Sequence, residues 1–457
     1  MTDLYIKNAL IVTESETFIG GLIIQNGKIT QIIRGDAGLQ AEQVLDCGGN
    51  VLFPGLVDDH VHFNEPGRED WEGYQSGSMA AAAGGITTFL EMPLNATPPT
   101  INREQLDIKR QVVKSESVVD YGNWGGLVDD NLADLPALNE GGVVGFKAFM
   151  SSSGVDFERV NDDILYAGLK LAGELGNLVG THAENEYVTS YLGKMLQDAD
   201  RTDRASWYES RPPSAELEAI RRACFWAGAA NGNLHIVHIT IPDGIRAVVE
   251  ARSQGINVTS ETCPHYLVFD QDDYEEIGPA AKCAPPIRSR QTVEELWDLV
   301  LEGKVDTIAS DHSPCLWEDK VPGMLNIWKA WGGISGIQTM LPAILTEGVH
   351  KRGMPLTDIA RMMSANPARI FGLYPQKGTL QPGSDADFTV VDLDAAWTLS
   401  AEKLFYKNKH SAYIGHKFKG KVVQTFVRGN PVFQNGKIVA SPGYGNALLR
   451  QYPYIYR

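Results

Sequence analysis

The sequence predicts an α/β protein: a (β/α)8 TIM barrel over residues 52–371, joined to a small β-sandwich domain formed by both chain ends, 1–51 and 372–457. Three observations carry this. The middle of the chain alternates short β-branched runs with helix-like stretches, as βα repeats around a parallel sheet do. Eight such runs can be counted there, the number that closes a barrel. Both ends lack a helical period and share a β texture, down to the string QNGKI, which recurs at 25–29 and 434–438. A doubly wound open sheet is the alternative architecture. It is disfavoured because no Gly-rich dinucleotide fingerprint follows the first strand of the middle region.

Taken in order, LYIKNALIV and GGLIIQNGKITQII read as strands, with Asn26-Gly27 as a hairpin turn. The eight strands of the middle region are VLFPGLVDDHVH, ITTFLEMP, SVVDYGNWGG, VVGFKAFM, LVGTHAE, NLHIVHIT, INVTSETCPHY and VDTIASDHSP. Helical stretches between them include NREQLDIKRQVVKS, SAELEAIRRACFWAGAA, DGIRAVVEARSQ and VEELWDLVLEG. ADFTVVDLD and KVVQTFVRGNPVFQNGKIV then return to strand. The two β segments can pair if the ends of the middle domain lie close together, which is common.

At 457 residues the chain exceeds one ordinary core and suits a large barrel plus a smaller domain. The net charge of −17 argues against nucleic acid or an anionic membrane as partner and leaves a small polar substrate open. The N-terminus lacks the basic and apolar regions of a signal peptide. No apolar run reaches the roughly 20 residues of a spanning helix. The five cysteines are odd in number and unpaired in spacing, which fits a reduced, cytoplasmic location.

The chemistry lies at the strand ends. LFPGLVDDHVHFNEPGRED (52–70) starts apolar and turns polar at Asp58, Asp59, His60 and His62. Residues two apart in a strand share a face, so His60 and His62 can grip one ion. Two exposed histidines at a polar strand end are the plain alternative. The fourth strand carries Lys147. The fifth ends in Thr181-His182-Ala183-Glu184, the sixth in His235-Ile236-Val237-His238, and the eighth in Ser310-Asp311-His312-Ser313. Barrel chemistry gathers at C-terminal strand ends, and neutral imidazole is the commonest ligand of this kind. His235 and His238 are three apart and so on opposite faces. His238, nearer the strand end, is the expected ligand, and His235 is expected to pack against a helix. Only one of Asp311 and His312 can face the axis, and Asp311 can both bind a metal and take a proton. Lys147, in an apolar run, would bury a cation beside a cationic site. Either it snorkels or meets a carboxylate, or it is carboxylated by CO2, whose carbamate oxygens can bridge two metals.

DDHVHFNEPGREDWEGYQSG, AAAAGGITTFLEMPLNATPPT, GFKAFM, THAEN, HIVHIT, SETCPHYL, KCAPPIR and SDHSPC span essentially the whole chain. In type, order and spacing they resemble the cyclic amidohydrolases of the amidohydrolase superfamily, most closely the members that open allantoin. The resemblance implies two divalent metal ions, zinc first, with cobalt or manganese as alternatives. One would be held by His60, His62, carboxylated Lys147 and Asp311, the other by carboxylated Lys147, His182 and His238. It implies hydrolysis of allantoin to allantoate, with metals activating water and Asp311 serving as base and then acid. It points to Asn95, Cys283, Ala284 and Ser313 as substrate contacts and to a homotetramer.

Departures from related patterns bear on the substrate. Dihydroorotases carry an arginine two residues after the second metal histidine, where this chain has Asn64, although Arg68 or Arg288 could take that part. Hydantoinases and dihydropyrimidinases place a tyrosine five residues after the modified lysine, where this chain has Ser152. Dihydroorotate and hydantoins are thus the alternative substrates. A scaffolding relative without metals is disfavoured because every ligand position is filled. Pro285-Pro286 on its own reads as a rigid turn. Cys283 and Cys315 lack the base partner of a nucleophile, and His265 reads as support or as packing.

Overall fold

A computed structural model describes residues 3–35 and 38–454. The chain begins with β1 (Leu4–Val12), β2 (Thr17–Gln25) and β3 (Lys28–Arg34), an antiparallel meander. Asn26 and Gly27 turn β2 into β3 with φ of 51° and 72°, backbone that Asn-Gly adopts at little strain. β4 (Gln43–Asp46) and β5 (Val51–Pro54) then pair parallel with β1. The run VLFPGLVDDHVH is therefore two strands rather than one. Its first four residues belong to the terminal sheet, and only β6 (Leu56–Val61) enters the middle region.

From β6 on, the architecture is α/β with parallel strands. β6, β7 (Ile86–Glu91) and β8 (Asp120–Asn123) form a three-stranded parallel sheet. β9 (Gly125–Gly126), β10 (Phe146–Phe149), β11 (Val179–His182), β12 (Leu234–Ile236), β13 (Val258–Thr262) and β14 (Thr307–Ile308) form a six-stranded one. Only Trp124 separates β8 from β9, and Val61 bridges in parallel to His312 beyond β14, so the two sheets adjoin at both edges. Every residue of β6, β7, β10 and β11 is buried, the mark of parallel strands covered on both faces.

Helices occupy the connections. Arg103–Val113, Pro213–Ala230, Pro242–Ser253 and Arg290–Leu301 lie where the sequence places them. The first shows why: the Asn102 side chain accepts from Gln105 N and caps the helix, which buries Leu106, Lys109 and Val113 along one face. Among the described residues no helix is long and apolar enough to cross a membrane.

The far end of the chain completes the first sheet. β15 (Phe388–Thr398) pairs antiparallel with β5, followed by β16 (Lys417–Val427), β17 (Asn430–Gln434) and β18 (Lys437–Ile438). Both chain ends thus share one nine-stranded sheet, consistent with the expected sandwich.

Lys377 fastens this sheet to the middle region. Its buried Nζ lies 2.5 Å from Asp120, 2.9 Å from Asp385 and 2.8 Å from Asp387. Burial alone would lower its pKa, but the three carboxylates outweigh that and raise it above the ordinary lysine value. Lys377→Met removes the cation and leaves buried carboxylates facing one another. It is expected to lower stability by about 3–5 kcal/mol, seen as an earlier denaturant midpoint.

Candidate metal and substrate site

The C-terminal ends of the parallel strands converge on one cavity of about 360 Å³ whose lining includes His60, His62, Lys147, His182, His238 and Asp311. His60 and His62 sit on and just past β6. Their Nε2 atoms each lie 3.4 Å from Asp311 Oδ1, and the three side chains offer ligand atoms within 4.8 Å of one another. Across the cavity, His182 Nδ1 and His238 Nε2 are 3.1 Å apart. His60 and His238 rings are 5.4 Å apart between centroids, so the two groups form one cluster.

The local backbone explains how these side chains are aimed. His182 is the last residue of β11, whereas His238 lies two residues beyond β12. His238 and Asp311 have φ of 41° and 42°. Left-handed backbone at non-glycine residues is strained and concentrates at functional sites. Asp311 faces the cavity, while His312 turns away to accept from Gly336 N and lie 3.6 Å from Glu72. His235 does not simply pack on a helix. Its ring meets Phe371 edge-on, and its nitrogens face Thr259 at 2.8 Å and Glu261 at 3.3 Å.

Two carboxylates that the sequence reading did not single out hold these imidazoles. Glu261 in β13 lies 2.9 Å from His60 Nδ1 and accepts from His238 N. Glu184 lies 2.8 Å from His182 Nε2. A carboxylate on one ring nitrogen fixes the tautomer and leaves the other nitrogen free to bind. The clue lay in the strand-end strings HAE and SET, but the pairing partner was not deducible from them.

Burial sets the charge state. It lowers His62 to about 4 and also lowers His182 and His238, so these rings are neutral with lone pairs available at neutral pH. Burial would raise Asp311, but His60, His62 and His238 outweigh it and hold the carboxyl well below the usual range. Lys147 is fully buried, and burial lowers it to about 8 against the pull of Glu261 and Asp311. Its Nζ has no hydrogen-bond partner among the described residues, nor do His62 Nδ1 and His238 Nδ1. Orphaned buried donors and acceptors beside an acidic oxygen form the donor set a divalent metal takes, so the residues fit a metal centre.

The expected substrate contacts Asn95, Cys283, Ala284 and Ser313 all line the cavity, as does Ser152. Asn64, Arg68 and Arg288 do not. Asn64 is buried at φ 67° with its amide toward Pro314 O, Arg68 donates to Asn95 O, and Arg288 is paired with Glu216. The Asn64 position thus reflects backbone geometry here, not contact with the cavity. His265 is buried and offers a ligand atom close to Cys263 and Asp311, and its Nε2 has no hydrogen-bond partner among the described residues. Burial pushes Cys283 to about 12 and Cys315 to about 11, so both are thiols at neutral pH.

The cavity walls were largely missed by the sequence reading. Trp207, Arg211, Lys282 and Trp328 line them. Trp207 donates its indole N–H to Cys283 O at 2.7 Å and so holds the loop expected to meet substrate. A larger surface depression of about 960 Å³ lies at the opposite ends of β13 and β14. Its arginines, Arg252 and Arg361, are already paired with Asp306 and Asp358, and it holds no comparable cluster of ligands.

Strand-end side chains able to hold a metal surround one cavity, and comparison with known proteins places the chain in a family. The amidohydrolase family matches residues 51–432, and the chain belongs to that family of hydrolytic enzymes. Its relatives are narrower in kind. The allantoinase of Rubrobacter xylanophilus is 47% identical over 403 residues, 88% of each chain. The allantoinase of Deinococcus radiodurans is 43% identical over 441 residues, 96% of this chain and 97% of its own. Among solved structures, the L-hydantoinase (dihydropyrimidinase) from Arthrobacter aurescens superposes with a TM-score of 0.96 at 36% identity, covering 98% of this chain and 100% of its own.

Proposed function

We propose that this chain opens the hydantoin ring of allantoin to give allantoate. The observation that carries this is the set of four imidazoles, one unpartnered lysine and one carboxylate around a single cavity, in a chain whose near relatives are named allantoinases. His60, His62, Lys147 and Asp311 would hold one divalent ion, and Lys147, His182 and His238 the other, with Lys147 carboxylated by CO2. Zinc is the first candidate, cobalt and manganese the next. Bound there, such ions acidify water and polarise a carbonyl.

Asp311 takes the proton of the attacking water as its oxygen bonds to the ring carbonyl carbon. The C–N bond then breaks, and Asp311 delivers that proton to the departing ring nitrogen. Glu261 and Glu184 keep the imidazoles oriented through their second nitrogens. Asn95, Cys283, Ala284 and Ser313 contact the substrate, the loop residues through backbone groups.

The same reading treats the two parallel sheets as one closed (β/α)8 barrel over 52–371, with 1–51 and 372–457 as a composite sandwich. It also makes the protein a cytoplasmic homotetramer. Parallel assay of allantoin, dihydroorotate and hydantoin tests the reaction. Allantoin is expected to give the highest kcat/KM by at least about tenfold, and a dominant rate on either other ring overturns the choice.

A further inference from the structure

We propose that Arg211 receives the uncharged ureido arm of the substrate and that its pairing with Glu184 sets the preference for such an arm over a carboxylate. This rests on the allantoin reading. Arg211 lines the cavity with its side chain 15% exposed. Its Nη1 donates to Glu184 Oε2, the same oxygen that faces His182 Nε2. No described residue engages its Nε or Nη2, so N–H groups remain for a ligand. The guanidinium lies 4.6 Å from the Trp207 ring centroid, and its backbone carbonyl accepts from Arg288 Nη1 at 2.6 Å. Arg288 is itself buried and held by Glu216 and Thr240. The donor fork is thus fixed in place before any ligand arrives.

Charge decides what it binds. Glu184 is fully buried, and its negative charge offsets the guanidinium. A planar, rigid donor whose charge is offset suits a neutral urea carbonyl better than a carboxylate, which gains most from an uncompensated cation. Lys282, which also lines the cavity, donates to Ile327 O at 2.8 Å and Ala330 O at 2.6 Å. Its ammonium is therefore committed to holding the Trp328 segment.

The test is steady-state kinetics of metal-loaded wild type, Arg211→Gln, Arg211→Lys and Glu184→Gln on allantoin and dihydroorotate, with metal content measured for each. Arg211→Gln is expected to raise KM for allantoin about ten- to hundredfold, with kcat within about threefold and metal content unchanged. Arg211→Lys, which keeps charge without the fork, should lie between it and wild type. Glu184→Gln leaves the guanidinium uncompensated and should raise the ratio of kcat/KM for dihydroorotate to that for allantoin about tenfold or more. An unchanged KM in both Arg211 variants overturns the assignment. A fall in kcat and metal content at constant KM also overturns it, since Arg211 would then act only by steadying His182 through Glu184. Failure of the wild type on allantoin overturns the functional reading itself, whatever the variants do.

Discussion

Lys147→Ala is expected to lose the bound metal pair and, with it, turnover by about 10³-fold or more, since several kcal/mol of barrier lowering go with the ions. The reason lies in the surroundings of Lys147. A buried ammonium with no acceptor is an unfavourable resident of a strand interior, and Lys147 Nζ is such a group. Burial that lowers its pKa to about 8 also raises the share of neutral amine, the form that reacts with CO2. Removing the amine therefore should not weaken the metal-free fold. Metal analysis and intact mass check the expectation: wild type carries about two ions and the added mass of one CO2, and the variant neither. Two ions and near-wild-type activity in Lys147→Ala would sink the carbamate bridge.

Asp311→Asn is expected to cut kcat by about 10²–10⁴-fold through loss of the proton carrier. Asp311 sits 3.4 Å from both His60 and His62, and its carboxyl is held ionised far below neutrality by the surrounding imidazoles. An amide of the same shape keeps the packing but cannot accept the proton. Loss of rate with KM for allantoin little changed would support the role. Activity retained at more than about a tenth of wild type in metal-replete Asp311→Asn would remove Asp311 from the proton transfer.

Much of the site was legible because strand chemistry is local. A period of two puts His60 and His62 on one side, and adjacency forces a choice between Asp311 and His312. The choice of His238 over His235 followed from the same rule, but the purpose of His235 did not. It faces Glu261, which also holds His60, and that contact spans 201 residues between Glu261 and His60. No local period encodes such a pair. The split of VLFPGLVDDHVH was hidden for a similar reason. Val51–Pro54 and Leu56–Val61 are both wholly buried strands, and only their partners in different sheets separate them.

The sequence by itself determined the alternation of strands and helices, the shared β texture of the two ends, and the strand-end residues that can bind metal. These depend on spacing along a few residues of backbone. The tertiary structure alone decided which carboxylate orients which imidazole, that Lys147 Nζ has no hydrogen-bond partner among the described residues, that Asn64 is turned away from the cavity, and that Arg211, Trp207 and Lys282 form its wall. Trp207 meets the carbonyl of a residue 76 positions away, and Arg211 meets a carboxylate 27 positions away. Such contacts arise from packing of the folded chain, where burial and distance, rather than spacing in the chain, set the chemistry.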